Sequence, residues 1–162
     1  MVAAMSWFVD RLDRLVKAIV VVLFASLVSL VALQVALRYL IGTSIHWEEE
    51  AARYLMIWIT FLISGVGLRL GAHVAVDFVK DNAPRLIRIP LLIAIKLGML
   101  LFLAIVAAYG YWVVVNVRDQ ISPALEFSMA IPYAAVPVGS GLMIIYTLEL
   151  LCKDVQLLFA KE

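Results

Sequence analysis

The chain has 162 residues, of which 65% are hydrophobic and 15% charged, and its mean hydropathy is +1.06. Because soluble domains are roughly 45–50% apolar, this composition indicates an integral membrane protein. A formal net charge of +1 with scattered Lys and Arg gives no reason to expect a nucleic-acid partner. The single cysteine, Cys152, cannot form an internal disulfide.

The segment before the first apolar stretch is amphipathic. Apolar residues recur at helical spacing on one stripe, and charged residues occupy the remaining positions. The stripe comprises Phe8, Leu12, Leu15 and Ile19. We therefore expect an amphipathic N-terminal lead that lies along the membrane interface before it turns into the bilayer.

Four apolar stretches follow, and each is long enough to cross a hydrocarbon core about 30 Å thick, which takes about 20 helical residues. They predict transmembrane helices over about 16–40, 53–71, 86–117 and 131–151, the second of which can extend back to Trp47. The fold class is therefore an all-α integral membrane protein with four transmembrane helices. The short connections predict that residues 1–162 form a single four-helix membrane domain.

The basic residues that flank these spans predict the orientation, because translocating Lys and Arg is disfavoured. Most lie on the side that holds both termini, whereas the other side has Arg38, Arg53 and Arg118. Both termini are therefore expected to be cytoplasmic. This orientation places the three acids Glu48–Glu50 on the outer, periplasmic face.

These three acids open the second span. Acids in a first helical turn are stabilised by the macrodipole, and Glu49 and Arg53 form an i,i+4 pair. Arg38 is a candidate partner for a neighbouring glutamate, because three successive residues span about 200° of a helix and cannot all face one group. The cluster is either a structural rim or a surface where at least one glutamate meets another protein. Its members are Arg38, Trp47, Glu48, Glu49, Glu50, Arg53 and Trp58.

Polar groups within the spans are few. Lys96 is expected to reach back to the interface, to pair with a carboxylate such as Glu149, or to meet a partner. His46 and His73 would lie about 40 Å apart on a continuous helix, so they cannot share one metal. Neither ring offers a Ser/His/Asp or Cys/His arrangement. We therefore expect no catalytic residues, no metal and no cofactor.

Two further patterns lie around the end of the second span. His73 and Asp77 are i,i+4, so on a continuing helix they would form a pair at the inner interface. Gly67 and Gly71 form a small-xxx-small pattern, which lets another helix approach closely. That helix belongs either to this chain or to a partner.

Several motifs, taken together in this order, resemble the small membrane subunit (Q component, DctQ-type small permease) of tripartite ATP-independent periplasmic (TRAP) transporters. The resemblance covers about residues 8 to 152. Glu126 departs from it, since a smaller or more apolar residue is expected in that turn. The motifs are Trp47-Glu48-Glu49, Arg53, Trp58, Phe61-Leu62, Gly71-x-His73-x-x-x-Asp77, Ser122-Pro123-Ala124-Leu125, Pro132-Tyr133 and Pro137-x-Gly139.

The resemblance implies a non-catalytic subunit in the bacterial inner membrane. In such systems a periplasmic solute-binding protein captures a carboxylate-bearing solute, and a large membrane subunit moves it with an ion gradient, typically sodium. The small subunit braces the large one, so the implied partners are the large subunit, the binding protein and membrane lipid.

Two alternatives to this role remain. A free-standing four-helix exporter would need a buried carboxylate on a dimer axis, for which Glu149 is the candidate. A membrane anchor of a redox complex would need haem ligands at matched depth.

Overall fold

The computed structural model describes residues 2–42, 47–70 and 85–159. Helix α1 spans Val2–Ala36 and continues as a π-helical turn, Leu37–Ile41. It is followed by α2 (Glu48–Arg69), α3 (Arg85–Val117), a short α4 (Ala130–Tyr133) and α5 (Ala135–Phe159). Within the described ranges, strand pairing is limited to one isolated bridge between Ile121 and Ser128.

The prediction of four transmembrane helices is confirmed, because four helical segments are long and apolar enough to cross a membrane. They cover Met5–Leu40, Glu48–Arg69, Pro90–Val117 and Ala130–Gln156. The last span is not one uniform helix, since α4 and α5 meet at Ala134. Gly71, His73 and Asp77 lie outside the described residues.

Helix α1 is continuous over 35 residues, or about 52 Å. The expectation that the lead turns before it enters the bilayer is therefore wrong, because the lead and the first span form one helix. Its buried residues are Val9, Asp13, Val16 and Val20. Each of them follows directly after a residue of the predicted stripe. On that stripe Phe8, Leu15 and Ile19 are exposed, which leaves an apolar surface for lipid or a partner.

Helix α5 is central, because it contacts α1, α2 and α3. Helix α1 also packs along α2, whereas α3 contacts neither α1 nor α2 within the described residues. Consecutive spans run in opposite directions. One end of the bundle, which we call the Arg69 end, therefore holds the start of α1 and the end of α5. The opposite end, the Glu50 end, holds the start of α2 and the loop before α4.

The core lies where α1, α2 and α5 meet. It is built from Val9, Val16 and Val20 of α1, Leu62, Val66 and Leu68 of α2, and Leu142 and Tyr146 of α5. Between residues 21 and 42, no described side chain of α1 is buried. Most apolar side chains in the second half of α1 are therefore exposed, although Leu23 still packs against the core.

Two glycines permit the close packing of α2 on α5. A Cβ on Gly139 would lie 2.7 Å from Phe61 Cβ and 3.1 Å from the Phe61 carbonyl oxygen. A Cβ on Gly65 would lie 2.9 Å from the tip of Leu142. A Cβ on Gly67 would meet no described atom within 4 Å, so this glycine, expected at a helix contact, packs on no described helix.

Candidate partner-binding ends of the bundle

Glu50 joins the start of α2 to the loop before α4. Its Oε2 accepts hydrogen bonds from the backbone N–H groups of Ala124 and Leu125, at 2.9 and 3.2 Å. Its Oε1 accepts a hydrogen bond from the Tyr54 hydroxyl, one turn further along α2. A carboxylate can accept several bonds at once, and bonds to a charged acceptor are the stronger kind. Glu50 is thus committed within this chain.

The loop that Glu50 contacts is itself closely hydrogen-bonded. The Ser122 N–H donates to the Phe127 carbonyl at 2.9 Å, and the Met129 N–H donates to the Gln120 carbonyl at 2.9 Å. Between them the chain reverses at Glu126, whose φ is +56°. This left-handed conformation favours glycine or asparagine. It therefore agrees with the expectation of a smaller residue than Glu126 in this turn. The result is an ordered loop that is tied to α2 by Glu50.

The other two glutamates have different environments. Glu48 is buried, with 4% of its surface exposed, whereas Glu49 is exposed. No ion pair joins Glu49 to Arg53 among the described residues, so the expected i,i+4 pair is not formed. Arg38 is exposed on the π-helical turn and likewise forms no ion pair with the glutamates.

The two tryptophans of the predicted rim also differ. Trp58 Nε1 donates to the carbonyl of Ile131 at 3.2 Å, and its ring packs against the core. This bond links α2 to α4 close to Ala134, the residue that separates α4 from α5. Trp47 precedes α2 and leaves 41% of its surface exposed. Trp58 is therefore part of the fold, and Trp47 is part of the surface.

A charged network lies at the Arg69 end. The guanidinium of Arg69 pairs with Asp10, with Asp13 at 3.3 Å and with Glu149 at 3.1 Å, and it lies over the ring of Tyr146. One side chain of α2 therefore joins carboxylates of α1 and of α5. A planar guanidinium suits this role because its five N–H donors can serve several acceptors.

Two lysines complete the network. Lys17 pairs with Asp13 at 2.7 Å, and Lys153 pairs with Glu149 at 2.6 Å, each one helical turn away. Glu149 is fully buried, so these partners are what permits a carboxylate inside a transmembrane helix. Asp13 Oδ1 and the Tyr146 hydroxyl are buried without a described hydrogen-bond partner.

Lys96 pairs with a carboxylate, which was one of the expectations, but the carboxylate is that of Asp154. Its Nζ pairs with Asp154 and also donates to the Leu150 carbonyl at 3.2 Å. Glu149, the carboxylate suggested from the sequence, pairs instead with Arg69 and Lys153. Lys96 is 5% exposed, so its pair fixes the start of α3 to the end of α5.

The sequence interpretation missed the Arg69 network. Arg69 lies at the end of the second span, and Asp10 and Asp13 lie about one turn apart on the lead. The available signal was Glu149, because a carboxylate within a span needs a cation at the same depth. Among the described residues, no group of three or more His, Cys, Asp or Glu side chains is arranged to hold a metal. The polar groups described at the two ends form hydrogen bonds and ion pairs, and such groups can hold helices together or bind a partner.

Comparison with known proteins places this geometry in context. The family model described as "Tripartite ATP-independent periplasmic transporters, DctQ component" matches residues 27–157. The chain is 31% identical over 144 residues to the ectoine TRAP transporter small permease protein TeaB of Halomonas elongata, covering 86% of this chain and 73% of that protein.

Two other relatives are matched over less of their own length. The chain is 24% identical over 100 residues to the sialic acid TRAP transporter small permease protein SiaQ of Vibrio cholerae, covering 62% of this chain and 58% of that protein. It is 28% identical over 149 residues to the isethionate TRAP transporter permease protein DctMQ of Oleidesulfovibrio alaskensis, covering 85% of this chain and 23% of that protein.

Proposed function

The chain belongs to the DctQ family of small permease subunits of TRAP transporters, and from this premise we propose that it braces a large membrane subunit during ion-gradient-driven uptake. It is a multi-pass membrane protein, and its family role is a non-catalytic part of transport. The proposed solute bears a carboxylate, as do the ectoine and sialic acid named for two relatives, whereas the isethionate named for a third bears a sulfonate. The proposed location is the bacterial inner membrane, with residues 1–162 forming one membrane domain.

One observation supports the bracing role most directly. Within the described spans, the buried charges near the Arg69 end are committed to partners inside the chain: Asp13, Lys96 and Glu149 all form ion pairs. The buried hydroxyls of Ser140 and Thr147 donate to carbonyls of their own helix. A secondary transporter needs polar groups near the midplane that are free to bind solute. This chain is better suited to hold a shape than to form a substrate path.

The same ion pairs weigh against a free-standing exporter. Such a protein would use an uncommitted carboxylate on a dimer axis, and Glu149 is held by Arg69 and Lys153. We therefore retain the bracing role, with the large subunit as the partner. The fused name of the isethionate relative, DctMQ, agrees with a partnership of this kind.

We assign the Glu50 end to the periplasmic side, in line with the basic residues at the opposite end. A solute-binding protein would then approach exposed Glu49. Charges at such a surface speed and orient encounter more than they add affinity. Glu49 is the better candidate for docking, because Glu50 is engaged by Ala124 and Leu125.

The experiment is reconstitution. The chain is purified in mild detergent with the large subunit that accompanies it, and uptake is measured in liposomes with binding protein and an ion gradient. We expect uptake from the complex and none from this chain alone. Uptake by the chain alone would refute the bracing role.

Docking is tested in the same liposomes with Glu49→Gln, using Glu126→Gln as a matched exposed acid on the loop. We expect Glu49→Gln to slow uptake at low salt and to have a smaller effect at high salt, because exposed charges are screened. Equal behaviour of the two variants at both salt concentrations would remove Glu49 from the docking surface.

A further inference from the structure

A groove runs down from the Glu50 end between α2 and the α4–α5 segment. Its volume is about 480 Å³, and its mouth is lined by Glu50 and Arg53. Below the mouth the walls are almost entirely apolar, built mainly from Ile57, Phe61, Pro132, Tyr133 and Val136. One end of the groove is therefore charged, and the rest is suited to hydrocarbon.

A second groove of about 390 Å³ lies between α3 and the same segment. Its lining includes Ile105, Tyr109 and Gly110. Tyr133 and Val136 line both grooves and form the ridge between them. The two channels exist because α2 and α3 both pack on α5 without contacting each other in the described ranges.

The depth of the groove mouth is indicated by exposed aromatic residues. Trp47, Tyr109, Trp112 and Tyr133 are each more than 40% exposed at this end of the bundle. Exposed Trp and Tyr are enriched where membrane meets water, at the level of lipid headgroups. Arg53 lies about 7.5 Å along α2 from Glu48, so the mouth is at headgroup level and the grooves extend toward the acyl chains.

Glu50 keeps its negative charge at the mouth, and Arg53 is the group there whose hydrogen-bond donors are unused among the described residues. Arg53 is exposed and forms no ion pair with any described residue. The carboxylate of Glu50 beside it is already engaged by the N–H groups of Ala124 and Leu125 and by the Tyr54 hydroxyl. A guanidinium binds phosphate through parallel N–H···O bonds, which are charge-assisted.

From these observations we propose that the paired grooves bind one diacyl phospholipid, with its phosphate on Arg53 and one acyl chain on each side of the Tyr133–Val136 ridge. A single helix of a partner protein would collide with this ridge, whereas the two acyl chains of one lipid can lie on either side of it. The proposal does not depend on the transport role, since it concerns the chain in any phospholipid bilayer.

The test uses the full chain in mild detergent, delipidated and then titrated with phosphatidylglycerol or phosphatidylethanolamine of identical acyl chains. Native mass spectrometry counts the lipids bound to each chain. We expect one lipid of either kind per chain, because both carry the phosphate that Arg53 binds. Arg53→Ala is expected to reduce phosphatidylglycerol binding about fivefold, which is the contribution of one cationic side chain beside anionic lipid.

Three variants accompany Arg53→Ala. Arg53→Lys keeps the charge and is expected to retain most of the binding, whereas Arg118→Ala removes an exposed cation from the same end outside the grooves and is expected to change nothing. Ile57→Trp fills the larger groove and is expected to lower the binding of both lipids. Glu49→Gln removes the acid one turn before Arg53 and is expected to raise phosphatidylglycerol binding slightly.

Several results would overturn the proposal. Equal loss of binding in Arg53→Ala and Arg118→Ala would show that Arg53 does not hold the phosphate. Two single-chain lysophospholipids bound independently would show that the grooves are separate sites. A lipid-free dimer, or loss of the lipid when the large subunit binds, would assign the grooves to a protein partner.

Discussion

The contact between Gly139 and Phe61 leads to a matched pair of variants on one helix. Gly139 and Gly141 are separated by one residue on α5, so they have the same backbone conformation and nearly the same depth. An added Cβ meets Phe61 at 2.7 Å at the first position and no described atom within 4 Å at the second. Alanine at the two positions therefore differs in packing and in little else.

The magnitudes follow from two opposing effects. Replacing a helical glycine by alanine stabilises a helix by about 0.5–1 kcal/mol. Overpacking costs about 1–3 kcal/mol, and relief is difficult at Gly139, since the atoms it would meet include the Phe61 backbone. We expect Gly139→Ala to lower the free energy of unfolding by about 1–2 kcal/mol and Gly141→Ala to raise it by about 0.5 kcal/mol.

The assay is thermal unfolding of the full chain in one detergent, followed by circular dichroism of the helical signal. For a chain of this size, 1 kcal/mol corresponds to a shift of about 2–4 °C in Tm. The two variants should therefore differ by about 3–10 °C, with Gly139→Ala the lower. Equal Tm values, or a higher Tm for Gly139→Ala, would show that α2 does not approach α5 this closely.

Three further predictions concern the polar contacts. Glu50→Gln should speed amide hydrogen exchange in the loop before α4 about tenfold, because it weakens charge-assisted bonds, and exchange in Glu49→Gln should stay at the parent rate; equal rates in the two would contradict the role of Glu50. Arg69→Met should lower the free energy of unfolding by about 2–4 kcal/mol in a denaturant titration, since it leaves buried carboxylates short of a cation, and an unchanged midpoint would dismiss the network. Lys96→Met alone should also lower the free energy of unfolding. Combining it with Asp154→Leu should recover most of that loss, because an apolar pair then replaces a buried ion pair. If the double variant stays as unstable as Lys96→Met, the charges themselves are required.

The helices themselves were predictable because each depends on a local apolar run. The bounds of α2 and α3 agree with the predicted spans within a few residues at most ends. The continuity of α1 was not predictable from the lead. An amphipathic pattern is equally compatible with a helix on the membrane surface and with one that continues into the bilayer.

The role of Glu50 could not be read from the sequence for a different reason. Three successive acids at a helix start are equivalent for the macrodipole, so the local pattern cannot say which is bound. The choice is made by a loop 74 residues further along the chain, whose Ala124 N–H reaches Glu50. The pairing of Lys96 was equally non-local, because Glu149 and Asp154 lie within two turns of each other on α5 and packing selects between them.

The contacts between α2 and α5 extend along the whole length of the pair. Trp58 reaches the segment before α5, Phe61 packs against Gly139 in the middle, and Arg69 pairs with Glu149 at the far end. In a bilayer, lipid tails compete equally with apolar side chains, so close packing and polar bonds are what hold two helices together. A pair joined at three levels resists both sliding and opening, and α1 is fastened to it by the same Arg69. For a subunit whose proposed task is to brace a moving partner, α5 is the helix through which α1, α2 and α3 are connected.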